Sequence, residues 1–353
     1  MRYLLCMTAT TILHICMYAQ DKKFSIHNIN LPLEISYFDN QFSGLQIAHQ
    51  KLYLMSESRL QDNREAKLYA IKLSDLDHYI KDTSYTLPFE KIKIYGLDSL
   101  AVNMKKDGQE YEGLEALVIN GQSVYFSVET STPSPYCYLL KGRFDNGNIY
   151  LQQKLMALQK PCKPNGNTIY NAGFEAMFLK KNKLHVFYEY NYFDNNYVYS
   201  YDTSLNANSK DSALIDKLPF RITDITAVNS NHFTAINYFY KGEGGDTVYR
   251  MPPADSINNK LIDKQGSYDN YCRLIDINYS NKYFSWRLLW VFPKEYTGYN
   301  WEGIAAHNHG YFIINDKYTL ARPYASVLLY IQRNSVLSFN DESQESMHTA
   351  NSY

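Results

Sequence analysis

Acidic and amide side chains recur in this chain at the two ends of a repeated pair of apolar runs. One series opens the first run of each pair: Ser43, Glu112, Ala172, Asp224 (or its neighbour Thr223) and Glu302. A second closes the following run: Glu57, Glu129, Glu189, Asn237 and Asp316. The separation is 14 residues for Ser43–Glu57, Thr223–Asn237 and Glu302–Asp316, and 17 for Glu112–Glu129 and Ala172–Glu189. Carboxylates brought together raise one another's pKa unless a cation neutralises them. Many hard oxygen donors favour Ca²⁺ over zinc, and the strict octahedron of Mg²⁺ disfavours that ion. The expected metal ligands are therefore Glu112 and Glu302, helped by Asp224 and Ser43. Glu129 or Glu189 at the same mouth is the expected general base. Arg59, Lys317 and Arg322 are cations placed to hold an anionic group.

The elements that carry these residues read as β-strands. Each apolar run is short, and the pairs are joined by turns such as Asn120-Gly121 and Lys181-Asn182, where insertions are tolerated. A third strand follows in each unit: Ala66 to Ile71, Tyr136 to Leu140, Tyr197 to Tyr201, Thr247 to Arg250 and Val327 to Ile331. Units one to three add a fourth, around Ile92-Lys93-Ile94, Ile149-Tyr150-Leu151 and Ala213-Leu214-Ile215. Repeated four-stranded antiparallel units predict an all-β protein, a β-propeller of five blades, with six as the alternative. The fourth unit holds a long insertion from about Met251 to Asn281, and the run Tyr283 to Phe292 then supplies its outer strand. The fifth unit lacks a fourth strand, and Phe24 to Tyr37 lacks a unit. The N-terminal strand is therefore expected to complete the last blade and remove an open sheet edge. Helical periodicity is weak throughout.

Composition agrees. The 34 Tyr and 17 Phe suit pleated, half-buried surfaces. With 35 basic against 36 acidic side chains, the chain lacks the basic surface of a general nucleic-acid binder. Residues 1–20 read as a secretory signal cleaved near Ala19, residues 21–333 as one propeller domain and 334–353 as a polar tail. The expected location is secreted, periplasmic or at the cell surface, with no membrane span and a monomeric state. A lipid anchor at Cys16 is the alternative, disfavoured by the bulky Ile15 before it. Of the three cysteines beyond the signal, Cys137 and Cys162 lie in one repeat and form the expected pair if a bridge exists.

Other features are assigned structural roles. Glu115 and Glu175, three residues beyond the first series, should project away from it and pack between blades. The sequence His307-Asn308-His309 is expected to be an exposed turn, and Lys241 to Asp246 a glycine-rich loop rather than a phosphate cradle. No GxSxG nucleophile motif is present.

The phrases Tyr111-Glu112-Gly113-Leu114-Glu115-Ala116-Leu117 and Trp301-Glu302-Gly303-Ile304-Ala305, each leading to a strand ending Val128-Glu129 or Asn315-Asp316, resemble blades of the esterase-like phytase domain. They are also similar to the calcium-activated nucleotidases (apyrases) and, more distantly, to gluconolactonase-type propellers. The resemblance spans roughly residues 24–333. It implies a propeller with a central Ca²⁺, onto whose ring Ser43, Glu112, Asp224 and Glu302 map, while Ala172 departs from the full set. The function expected is that of a Ca²⁺-dependent hydrolase of phosphoesters or related esters, with a small anionic substrate. The rival is a non-catalytic propeller binding a glycan or protein through the aromatic loops Pro133-Ser134-Pro135-Tyr136 and Tyr190-Asn191-Tyr192-Phe193.

Overall fold

A computed structural model describes residues 24–58, 65–131, 133–163, 166–191, 193–239, 270–316 and 325–334. The leader, the tail, the strand expected at Thr247 to Arg250, the loop Lys241 to Asp246, and Arg59, Lys317 and Arg322 lie outside the described residues. No helix among the described residues is long and apolar enough to cross a membrane.

The N-terminal strand β1 (Phe24–Ile29) and a short helical turn α1 (Leu33–Ser36) precede the first complete blade. Blade 1 holds β2 (Phe42–Ala48), β3 (Lys51–Ser56), β4 (Lys67–Lys72) and β5 (Glu90–Tyr95). Blade 2 holds β6 (Tyr111–Asn120), β7 (Ser123–Thr130), β8 (Tyr136–Asp145) and β9 (Asn148–Leu151), with β10 (Met156–Gln159) pairing the free length of β8. Blade 3 is β11 (Ala176–Lys180), β12 (Lys183–Phe187), β13 (Asn196–Asp202) and β14 (Asp211–Ile215). Blade 4 is β15 (Arg221–Ala227), β16 (His232–Phe239), β17 (Tyr271–Ser280) and β18 (Tyr283–Val291). Blade 5 is β19 (Asn300–His307), β20 (Gly310–Asp316) and β21 (Leu328–Arg333), and β1 pairs antiparallel with β21 to complete it. Of the expected insertion from about Met251 to Asn281, residues 270–281 are described; β17 pairs with β16 as the third strand of blade 4, the place expected for Thr247 to Arg250, and β18 is the fourth. The outer strands of neighbouring blades also meet: β5 runs parallel to β9, and β14 to β18.

Alternation along each strand explains the packing. Successive side chains face opposite sides of a sheet, and both sides of a blade are covered by neighbours. On β3, Leu52 and Leu54 enter the core shared with blade 5, while Tyr53 and Met55 enter the core shared with blade 2. Five such cores fill the spaces between consecutive blades, and the one containing Leu45, Phe312 and Tyr330 joins the last blade to the first. The fold is a β-propeller.

Two helices depart from the expectation of weak helical pattern: α2 (Leu73–Lys81) and α3 (Leu97–Lys106). Each buries three apolar side chains on one face, Leu73, Leu76 and Tyr79 in the first, Leu97, Leu100 and Met104 in the second. Helices of 9 and 10 residues give too few turns for a periodic signal to stand out beside the strands. The cysteine pairing also fails: Cys137 is buried in a core, Cys162 is exposed, and both are free thiols. His307 is no exposed turn residue. It ends β19, stacks on Phe312 at 5.4 Å and bonds Asp77 of α2 through Nε2 at 2.8 Å.

His185 on β12 is buried between blades 3 and 4, stacked on Phe178 at 4.8 Å, and its Nδ1 has no hydrogen-bond partner. Burial, with Lys180 and Lys183 nearby, pushes its pKa down from 6.5 to about 4. The folded ring therefore stays neutral while the unfolded one protonates below pH 6.5, so its stabilising contribution is lost as pH falls toward 4. Relative to wild type, His185→Leu should become more stable by about 2 kcal/mol between pH 7 and pH 5. Urea unfolding of both proteins at the two pH values measures that difference.

Candidate functional site: a glutamate well on the propeller axis

The innermost strands β2, β6, β15 and β19 each carry a β-bulge at the position that opens the repeat. Pairing slips between Phe42 and Gly44, Tyr111 and Gly113, Ile222 and Asp224, and Trp301 and Gly303. The extra residues are Ser43, Glu112, Thr223 and Glu302, so register selects Thr223 rather than Asp224 as the fourth member. A bulge leaves its extra residue outside the ladder and re-aims its side chain.

The four then divide by chemistry. Ser43 Oγ donates to the Leu114 carbonyl of blade 2 at 2.5 Å, and Thr223 Oγ1 to the Trp301 carbonyl of blade 5 at 2.7 Å. These hydroxyls stitch one blade to the next. Asp224 is bound still more firmly: Oδ2 accepts from the amides of Leu45 (3.3 Å) and Ile304 (2.8 Å), and Oδ1 from Ile225 N (2.8 Å). Burial pushes its carboxyl well up, against the pull of those three amides. Asp224 thus pins blades 4, 5 and 1 together. Ser43 and Asp224, expected as metal ligands, both hold backbone groups of neighbouring strands in this structure.

Glu302 does enter a cluster. Oxygens of Glu57, Glu115 and Glu302 all lie within 4.8 Å of one another. Glu57 follows β3, and its carbonyl accepts from Leu114 N and Tyr111 Oη of blade 2 at 2.9 Å each, which holds it beside Glu115. Glu115 was expected to point away. It does not, because β6 slips a second time between Leu114 and Ala116, making Glu115 another bulge residue and cancelling the two-residue alternation. Gly113 makes room: a Cβ there would lie 2.8 Å from Glu115 Oε1 and 3.3 Å from Glu57 Cβ. Asn300 Nδ2 donates to Glu302 Oε1 at 2.5 Å and Asp316 Oδ2 at 3.2 Å. Burial, then Glu57, Glu129, Glu175 and Glu302, push the Glu115 carboxyl well above its ordinary range. Burial, then Asp316 and Glu175, raise Glu302 despite Arg221.

A second half of the well lies toward blades 2, 3 and 4. Glu129 near the end of β7 lies against Gly173, and burial raises its pKa to about 7, opposed first by Lys160 and reinforced by Glu175 and Glu112. Glu189 is completely buried, accepts from Gly173 N at 2.9 Å and stands 3.6 Å from the Arg221 guanidinium. Burial and Glu175 raise Glu189 more than Arg221 lowers it. Burial opposes the Arg221 charge, but Tyr190, Glu189, Glu175 and Glu302 together outweigh it and hold the guanidinium pKa up. Glu189, one of the two expected general bases, is thus fully buried beside the Arg221 guanidinium. Glu175 also belongs here, since its charge bears on Glu115, Glu129, Glu189 and Glu302. Glu112 is half-buried at the mouth.

The second series is less regular than its spacing. Ser56, Thr130, Asn237 and Asn315 occupy equivalent ladder positions, so Glu57 and Asp316 stand one residue later and Glu129 one earlier. Asn237 binds Arg273 Nε at 2.7 Å and the carbonyls of Pro219 and Arg221. Of the aromatic loops, Tyr190 and Asn191 are buried and Tyr192 lies outside the described residues, whereas Tyr136 is 39% exposed.

No family model matches this chain, and no curated protein matches it. Solved structures are similar in fold. The GH43_1 enzyme from Xanthomonas citri aligns over 90% of this chain and 92% of its own, at 6% identity and TM-score 0.46. The GH32 β-fructofuranosidase BmSUC1 of Bombyx mori covers 92% and 68%, at 10% identity and TM-score 0.47. The N-terminal domain of Nup159 covers 88% and 96%, at 11% identity and TM-score 0.39. The likeness is one of fold. It assigns no activity, and the closeness to phytases and apyrases drawn from the sequence motifs finds no support in it.

Proposed function

We propose that the protein is a hydrolase acting at the mouth of the glutamate well with a divalent cation, and that its substrate is a neutral glycoside. The observation that carries this reading is a cluster of buried carboxyl groups, among them Glu129 with its pKa raised to about 7. Glycoside hydrolysis uses a pair of carboxyl groups, one of which gives a proton to the leaving oxygen. Glu129 is the acid–base group, since a pKa near the working pH serves both directions of proton transfer. Glu112, half-buried and acting electrostatically on Glu129, is the second carboxylate. Arg221 keeps local charge in balance and is itself oriented by Glu189.

The donor set suits calcium. Two ligands of one Ca²⁺, each at about 2.4 Å, stand at most ~4.8 Å apart, and the oxygens of Glu57, Glu115 and Glu302 satisfy that limit. When bound, the ion would neutralise these carboxylates and polarise a substrate oxygen. The excess of glutamates favours a neutral, hydroxyl-rich substrate over a phosphoester, whose negative charge they repel.

Hydrolysis of aryl glycosides and aryl phosphates, with calcium and after chelation, tests the reading. Glycoside turnover is expected, reduced about 10²–10⁴-fold by Glu129→Gln. Phosphate turnover alone would reassign the substrate to phosphoesters, and failure on both classes would remove the hydrolase.

A further inference from the structure

The glutamate well has a mouth but no outlet. On each inner strand an unbroken run is buried: 42–45 on β2, 113–119 on β6, 176–178 on β11, 222–225 on β15 and 301–305 on β19. A water-filled channel along the axis would expose part of these runs. The strands meet instead. Asp224 of β15 accepts from Leu45 N of β2 and Ile304 N of β19, so one carboxylate ties blades 4, 5 and 1. A Cβ on Gly303 would lie 2.8 Å from Leu45 Cγ and 3.1 Å from the Gly44 carbonyl carbon, so β19 and β2 approach as only glycine allows. Ser127 Oγ donates to the Phe174 carbonyl at 2.7 Å, linking blades 2 and 3, and Ile222 N to the Glu189 carbonyl at 2.9 Å, linking 3 and 4. Gly44, Asp224 and Gly303 each follow directly the bulge residue that opens the well on their strand. The floor therefore stands just beneath the carboxylates.

The way in is narrow. Glu115, Glu129 and Glu302 are 7%, 7% and 8% exposed, while Glu57 and Glu112 on the mouth side are half-buried. A glycan lying across an open groove would need carboxyl groups exposed along that groove. Carboxyls this deep, above a closed floor, are reached end-on. We infer that the protein acts on chain ends, taking the terminal residue of a glycan into the blind well. The inference rests on the glycoside reading given above. Chemistry then fixes which end enters. The enclosed residue must present its anomeric carbon to the carboxyl pair, and the rest of the chain must continue outward through the leaving oxygen. That residue is the non-reducing terminus. The bond from its anomeric carbon to the leaving oxygen breaks, and the oxygen takes the Glu129 proton to become a hydroxyl of the shortened chain. Water supplies the hydroxyl on the released sugar, and its second proton returns to the carboxyl pair.

The test gives the full chain, with calcium, linear hexasaccharides of the sugar whose aryl glycoside it turns over. They are prepared free, with a benzyl ether on the non-reducing residue, or with a fluorescent tag on the reducing end. Monosaccharide should be the first small product from free chains. The benzyl cap should slow its release by at least about 100-fold, and the reducing-end tag should leave the rate unchanged. Early release of di- or trisaccharides, equal cleavage of capped chains, or hexasaccharides left intact beside a hydrolysed aryl glycoside would each overturn the inference while the glycosidase reading stands. If no aryl glycoside is turned over, that reading falls and takes this inference with it.

Discussion

Asp224→Ala should destabilise the protein by on the order of 4 kcal/mol, more than any other single change at the axis. The carboxylate receives three backbone amides, from Leu45, Ile225 and Ile304, that lie on strands of three different blades. Alanine leaves all three buried donors without an acceptor, and each such loss costs about 1–3 kcal/mol. Asparagine offers no full rescue, because its NH₂ must replace one oxygen and would face a donor. Ser43→Ala removes a single interblade hydrogen bond, and a loss of about 1 kcal/mol is expected there. Equilibrium unfolding of Asp224→Ala, Asp224→Asn and Ser43→Ala measures the order. If Asp224→Ala proved no worse than Ser43→Ala, the pinning role would fall.

The double variant Glu115→Gln/Glu302→Gln is expected to behave in opposite ways with and without calcium. Both carboxyls are raised by burial and by their acidic neighbours. A group whose folded pKa exceeds its unfolded value contributes stability that is present below the unfolded pKa and lost as pH rises through the folded one. Metal-free wild type should therefore weaken as pH rises above about 4.5, the ordinary glutamate value. For Glu129, raised to about 7, the loss between pH 5 and pH 7 is about 2 kcal/mol. His185 works in the other direction over the same interval, so between pH 5 and pH 7 His185→Leu should lose more stability than wild type and Glu129→Gln less. In chelator at pH 8 the double variant should melt above wild type, because the repulsion is gone. Calcium at 100 times its Kd should then raise wild type by about 2.7 kcal/mol and leave the variant unmoved. A variant that melts below wild type in chelator would mean that these side chains act as structural hydrogen-bond partners.

Much of the fold could be read from strand periodicity. Five repeats, their turn positions and the closing role of Phe24–Ile29 follow from apolar runs of regular length, and a run of alternating residues carries its own evidence of which faces are covered. The site was less legible, for a physical reason that Glu115 makes plain. Side-chain direction in a strand follows from counting by twos only while the ladder is regular. Two bulges in β6 break the count, and no residue in Leu114-Glu115-Ala116 announces the second one. The same slippage makes Thr223 the bulge residue of β15 and misaligns Glu57, Glu129 and Asp316 by one position. The repeat marks the positions of Glu302, Glu112 and Glu129 at the strand ends whatever their exact register. Lys160 carried no signal. It lies outside the repeated pair and follows a strand that, among the described residues, only blade 2 possesses.

The claim on which the account depends is that glutamates from blades 1, 2 and 5 form one cation site. Calorimetric titration of the full protein with Ca²⁺ tests it most directly, run beside Glu115→Gln/Glu302→Gln and Ser43→Ala. The account predicts one ion per chain in wild type and in Ser43→Ala, with no binding in the glutamate double variant. Absence of binding in wild type, or undiminished binding in the double variant, would contradict it.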